Sequence, residues 1–140
     1  MAQGLSFNCR ACGHCGDLAV GSSRSEYWTR VQWPVLCLEC KSVRVANYRQ
    51  DPLLCLSCHS RNVLEADSSE AWRGDGDDVY SASMFYPDTQ LPRRWWQFGR
   101  RKVERRCRHM KLTDGHYLCP KCEDFELFFY VDTENFWIAD

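Results

Sequence analysis

Four Cys-x-x-Cys pairs punctuate the chain: Cys9-Arg-Ala-Cys12, Cys37-Leu-Glu-Cys40, Cys55-Leu-Ser-Cys58 and Cys119-Pro-Lys-Cys122. Two cysteines spaced this way direct both sulfurs to one point, because the turn between them folds inward and its N–H groups bond back to the sulfurs. One such pair says little. Four supply two complete tetrahedral donor sets, the number that two closed thiolate sites require. No other feature restricts the fold as much, since distant segments must meet at two points.

Ten cysteines in 140 residues would also suit the disulfide framework of a secreted chain. The spacing argues otherwise, since eight of the ten fall in these pairs. The opening Met1-Ala-Gln-Gly-Leu-Ser-Phe7 has no basic stretch leading into an apolar core, so a reducing, cytoplasmic compartment is expected. No run approaches the roughly 18 apolar residues of a membrane span, so no membrane partner is expected. With 44% hydrophobic and 14% aromatic residues, the chain is apolar enough to fold.

Sequential sharing is the expected ligand pairing: Cys9/Cys12 with Cys37/Cys40, and Cys55/Cys58 with Cys119/Cys122, because short closures cost less entropy. A cross-braced order and a nested order, which joins the second and third pairs, stay open. Cys12/Cys15 is an alternative first pair, although Gly13 after Cys12 suits the turn of Cys9/Cys12. Cys15 and Cys107 then read as small buried apolar residues, with Cys107, His109 or His116 as substitute ligands in the alternative. His14 and His59 follow knuckles and are expected to hydrogen-bond around the site or face water.

Period-two patterning predicts strands at Tyr27–Trp33 and Ser42–Tyr48, and further strands are expected after the third and fourth knuckles, at Asn62–Glu65 and Phe125–Val131. Residues 66–92 read as an acidic loop. Over 93–111 the spacing predicts a basic helix, with Trp96, Val103, Cys107 and Met110 on one face and Arg94, Arg101, Arg105 and Arg108 on another.

Phe7-x-Cys9-x-x-Cys12-Gly13-His14 and Cys119-Pro-Lys-Cys122 resemble the knuckles of zinc-ribbon and rubredoxin-like modules, with Glu123 where that family usually carries glycine. The resemblance covers the knuckles and their strands, not residues 66–111. Together with the helical spacing over 93–111, it makes the expected fold a small β-rich, metal-stapled one of two zinc ribbons with one inserted basic α-helix. The first ribbon would span 1–50 and the second 51–140, the latter carrying the acidic loop (66–92) and the basic helix (93–111). It also implies two structural zinc ions on Cys9, Cys12, Cys37, Cys40, Cys55, Cys58, Cys119 and Cys122. Iron is the alternative, since rubredoxins hold it in the same donor set.

Four sulfurs leave no coordination position for water or substrate, and no catalytic motif accompanies them, so neither catalysis nor a small-molecule substrate is expected. The charge distribution points to a partner instead. Residues 93–111 hold nine of the eighteen Lys and Arg against one acid, while residues 65–90 and 112–140 carry seven carboxylates each. The expected function is nucleic-acid binding through Arg93, Arg94, Trp95, Arg100, Arg101, Lys102, Arg105 and Arg108. The acidic flanks carry enough charge to neutralise that segment internally. The alternative is a protein-interaction module, an adaptor, inhibitor or subunit of a larger machine such as a polymerase, docking through exposed aromatics and arginines or through Asn135-Phe-Trp-Ile138.

Overall fold

β1 (Ala2–Cys9) turns at the first cysteine pair into β2 (Cys15–Gly21), and the two form an antiparallel ladder from Asn8↔Cys15 to Ala2↔Gly21. Alternation makes β1 a strand: Leu5, Phe7 and Cys9 are buried, with Gly4 and Asn8 half-exposed on the other face. This protein is seen as a computed structural model that describes residues 2–74, 76–86, 107–131 and 138–139. After a turn over 24–29 comes a second hairpin, β3 (Gln32–Cys37) with β4 (Ser42–Asn47), folded at the second cysteine pair. β5 (Val63–Glu65) then pairs with the other edge of β3.

β6 (Trp72–Arg73), β9 (His116–Tyr117) and β10 (Leu127–Tyr130) complete the main sheet, in the order β4-β3-β2-β1-β10-β9-β6. β11 (Ile138–Ala139) lies beside the start of β1. β7 (Asp78–Phe85) and β8 (Cys107–Thr113) form a separate two-stranded sheet.

The core lies between these layers. Tyr80, Ala82 and Met84 of β7 share an inward face with Arg108, Met110 and Leu112 of β8, while Ser81, Ser83, His109 and Lys111 face outward. Tyr80 stacks on the fully buried Trp33 with ring centroids 5.4 Å apart. Tyr117 meets Phe129 edge-on at 4.9 Å, closing the core under β1 and β10.

The hairpin corrects two expectations. The basic helix predicted over 93–111 is not what the chain forms at 107–111, which belong to β8, and there is no helix among the described residues. Residues 93–106 lie outside the described residues. Met110 and Cys107, expected on one helical face, sit on opposite faces of a strand. The 66–92 segment is not all loop, since β6 and β7 fall in it. The strand predicted at Tyr27–Trp33 begins only at Gln32, the residues before it forming a turn.

Arg108 explains the misreading of β8. It is a charged side chain on an inward face, and so breaks the apolar alternation that would signal a strand. Its guanidinium bonds Glu65, lies 3.5 Å from Asp67 and covers the Tyr48 ring at 4.6 Å. That cluster ties the β7–β8 sheet to the β3–β5 region.

Candidate metal centres

Each cysteine pair folds as the same small turn. The N–H groups of Gly13, His59 and Glu123 donate to the carbonyls of Cys9, Cys55 and Cys119, at 2.8–2.9 Å. In the same three turns, the N–H of the first cysteine donates to the carbonyl five residues on. Cys40 donates its N–H to the Cys37 sulfur at 3.3 Å. In all four turns the residue after the second cysteine has positive φ: Gly13 (71°), Lys41 (49°), His59 (59°) and Glu123 (64°). The turn needs a left-handed residue at that position to aim both sulfurs inward.

The sulfurs gather in two sets, Cys9/Cys12/Cys119/Cys122 and Cys37/Cys40/Cys55/Cys58, with ligand atoms all within 4.8 Å of one another. This is the nested order, so the expected sequential pairing is overturned. Both sets cross the boundary expected near residue 50. Strand pairing enforces the order, because β10 runs beside β1 and carries the fourth knuckle to the first.

One local unit is built twice. A hairpin has a knuckle at its tip, and a second knuckle leads into a strand that pairs antiparallel with the hairpin's first strand. In one unit Cys9 lies opposite Leu127, five residues beyond Cys122; in the other Cys37 lies opposite Val63, five residues beyond Cys58. The register is identical. The second unit is continuous, whereas the first is interrupted between its hairpin and third strand by the second unit and the β7–β8 sheet.

The donor geometry fits a tetrahedral metal. Four thiolates at about 2.3 Å from one ion would lie about 3.8 Å from each other. The separations are 3.6 Å for Cys9–Cys122, 3.8 Å for Cys12–Cys119, 3.6 Å for Cys37–Cys58 and 4.0 Å for Cys40–Cys55. A disulfide would need about 2.05 Å, and all ten cysteines are free.

The electrostatics agree with the geometry. Burial pushes the Cys37 and Cys119 thiols up to about 12, so a bare thiolate is unfavourable where a metal-bound one would be stable. At Cys55 burial also raises the pKa, but N–H groups of Cys58 and Ser57 outweigh it and bring the thiol down to about 7. The His14 backbone N–H likewise lowers Cys12, against the opposing effect of desolvation.

Neither leftover cysteine joins a set. Cys15 is exposed on β2, and Cys107 is half-buried opposite Phe85. Three of the four histidines have other partners: His14 Nε2 lies 3.0 Å from Ser42 Oγ, His109 Nδ1 2.9 Å from Ser83 Oγ, and His116 Nδ1 3.8 Å from Glu126, while His59 is exposed. Of the residues expected to meet a partner, Arg93, Arg94, Trp95, Arg100, Arg101, Lys102 and Arg105 lie outside the described residues. Arg108 is committed to Glu65 and Asp67, and nearby Lys111 bonds Asp78 at 3.0 Å. The acidic flank therefore neutralises this end of the basic segment.

Sequence reasoning missed a cluster of Tyr27, Trp28 and Tyr86 around Arg49, with the Phe85 backbone N–H bonded to the Tyr27 hydroxyl. Its members come from three distant segments, so only the aromatic dipeptides Tyr27-Trp28 and Phe85-Tyr86 hint at it. Another aromatic pair, half-buried Phe128 and exposed Tyr130, lines a cleft of about 340 Å³ with Arg10, Asp114 and His116.

Compared with protein-family models, curated proteins and solved structures, the chain matches none. The fold and donor sets define a class: a β-rich protein with two four-cysteine groups at metal-binding distance, which suggest zinc-finger-like modules. No helix among the described residues is long and apolar enough to cross a membrane.

Proposed function

We propose that the protein is a non-catalytic module of two nested zinc ribbons that binds nucleic acid through its basic segment. Both donor sets are complete with four sulfurs, which leaves no open position on a tetrahedral ion and favours a scaffolding role. Zinc would hold the turns at the tips of the two sheet units, and its binding energy would be folding energy.

The observation that carries the reading is topological. The seven Arg and Lys of residues 93–106 all fall in the connection that leaves β7 at Phe85 and returns at Cys107, its cross-strand partner. The root of that connection carries the aromatic cluster, with Arg24, Arg30 and Arg49 in and beside the turn that holds Tyr27 and Trp28. Cations that neutralise phosphate are thus attached where exposed rings are concentrated.

The test is an anisotropy titration of labelled oligonucleotides at two salt concentrations. Affinity should fall steeply with salt, and replacing Arg101 and Arg105 with Ala should reduce the slope by about 1–2 units. Failure to bind at low salt would end the nucleic-acid reading.

A protein-interaction module is the second reading. It is favoured by Tyr130, 40% exposed, beside Phe128 with the Arg10 guanidinium 4.9 Å over the latter's ring. Aromatic and arginine side chains in one patch are typical of protein interfaces. Retention of a protein from native lysate by the wild type, lost in Phe128→Ala, would support it.

A further inference from the structure

We propose that Trp28 and Tyr86, set around the Arg49 guanidinium with Tyr27, form a stacking site for unpaired bases of single-stranded nucleic acid. The proposal rests on the nucleic-acid reading above and adds to it a site and a strand preference.

The turn over 24–29 presents the rings. The Glu26 carbonyl accepts from the N–H groups of Thr29 and Arg30 at 2.9 and 2.7 Å, which fixes the turn and leaves Trp28 at its outer corner, 56% exposed. Across from it, Phe85 and Tyr86 at the end of β7 are 41% and 38% exposed. Two of the four large exposed hydrophobic side chains among the described residues, Trp28 and Tyr86, therefore lie against Arg49, with Phe85 next to them in sequence.

Their arrangement is fixed before any partner arrives. The Tyr27 hydroxyl accepts from the Phe85 N–H at 2.8 Å, joining the turn to the edge of β7. Tyr27 and Trp28 pack edge-on with centroids 5.1 Å apart. Arg49 lies 5.0 Å from the Tyr27 centroid, 5.5 Å from Trp28 and 6.0 Å from Tyr86. Its Nε donates to the Tyr27 carbonyl at 2.8 Å, and its backbone N–H donates to Asn47, whose amide in turn donates to the Thr29 carbonyl. Rings held this way lose little freedom when a base stacks on them.

Charge selects the occupant. Arg24, Arg30 and Arg49 are in or against the turn, opposed there by Glu26, which accepts a hydrogen bond from Ser23 at 3.4 Å. One Arg49 guanidinium nitrogen is buried without a hydrogen-bond partner among the described residues. The connection bearing seven more cations starts directly after Tyr86. Ring faces beside positive charge suit a strand whose bases are splayed and whose phosphates run alongside. A duplex keeps its bases stacked on each other and would meet only the cations.

The experiment uses the metal-loaded full chain, a labelled 12-nucleotide oligo(dT), its RNA equivalent and a 12-base-pair duplex. Trp28→Ala should weaken single-strand binding roughly tenfold and leave duplex affinity and salt slope unchanged. Trp28→Phe should retain most of the binding, and both variants should keep their melting temperature, because Trp28 is exposed. Unchanged single-strand affinity in Trp28→Ala, or an equal loss for duplex and single strand, overturns the stacking site but leaves the nucleic-acid reading standing. A wild type that binds none of the three probes overturns both.

Discussion

Cys9 and Cys122 bring their sulfurs to 3.6 Å across 113 positions of sequence, a separation that Cys37 and Cys58 reach across 21. The same local geometry is thus obtained once by a neighbourly closure and once by joining two distant parts of the chain. The long closure holds because β1 and β10 pair directly behind it, from Cys9↔Leu127 to Ser6↔Tyr130.

This difference predicts an order of metal loading. In a metal-free chain, closing the longer span costs about 1.5 kcal/mol more, or roughly tenfold in affinity. The first equivalent of cobalt added to stripped protein should therefore enter the Cys37/Cys40/Cys55/Cys58 set. Its thiolate-to-cobalt absorption should be nearly unchanged in Cys9→Ser and require roughly tenfold more metal in Cys37→Ser. Equal affinities in the two variants would refute the argument.

Lys41, His59 and Glu123 occupy the left-handed backbone position that Gly13 fills in the first knuckle. A side chain there costs about 1–2 kcal/mol through the clash of Cβ with the following carbonyl. Glycine removes that strain but gives back part of it as unfolded-state entropy. Each of Lys41→Gly, His59→Gly and Glu123→Gly should stabilise the metal-loaded protein by about 0.5–1 kcal/mol, read as a Tm a few degrees higher. Gly13→Ala should do the reverse, through backbone strain alone, since a Cβ there meets nothing within 4 Å.

These turns also show what was legible in sequence. Knuckle spacing gave all eight sulfurs, alternation gave β4, and the apolar segments that follow the third and fourth knuckles gave β5 and β10. The pairing was not legible. Sequential closures span 25 and 61 positions and nested ones 15 and 107, so logarithmic closure costs differ by less than about 0.1 kcal/mol. The decision rests on β1 meeting β10, a long-range contact with no local signature. β7 was hidden because its inward Tyr80, Ala82 and Met84 follow a run of Asp and Gly that reads as loop, and β8 because Arg108 faces inward.

Replacing Arg108 with Ala would leave Glu65 and Asp67 together without their cation. The three side chains retain 30%, 36% and 18% of their exposure, so the loss is well short of that for a fully buried pair, about 1–2 kcal/mol at neutral pH. Burial already holds the Asp67 carboxyl above its ordinary pKa, with Arg108 pulling it down and Glu65 pushing it up. A raised carboxylate pKa in the fold means that stability is lost as pH rises from the unfolded value through the folded one. Without Arg108 that rise is larger, so the deficit relative to wild type should be greatest at neutral pH and shrink in acid. Urea denaturation of both proteins across that range measures the difference, which cancels the acid-driven metal loss they share. A deficit that grows on acidification would contradict the assigned role.

Cys12 and Cys15 are both exposed and only three positions apart, yet the fold gives them different chemistry. Cys12 lies within the knuckle turn, its sulfur 3.8 Å from that of Cys119. Cys15 has already entered β2, where it pairs with Asn8 and lies outside both donor sets. Cys12→Ser should reduce the metal content by one ion per chain and loosen β1 from β10, since the remaining three sulfurs bind zinc far more weakly. Cys15→Ser should keep both ions and a melting temperature within about 2 °C of wild type, as expected for an exposed substitution away from the core. Native mass spectrometry counts the ions directly. If Cys15→Ser loses an ion as Cys12→Ser does, the first knuckle is Cys12/Cys15, and the register that makes the two units equivalent is wrong.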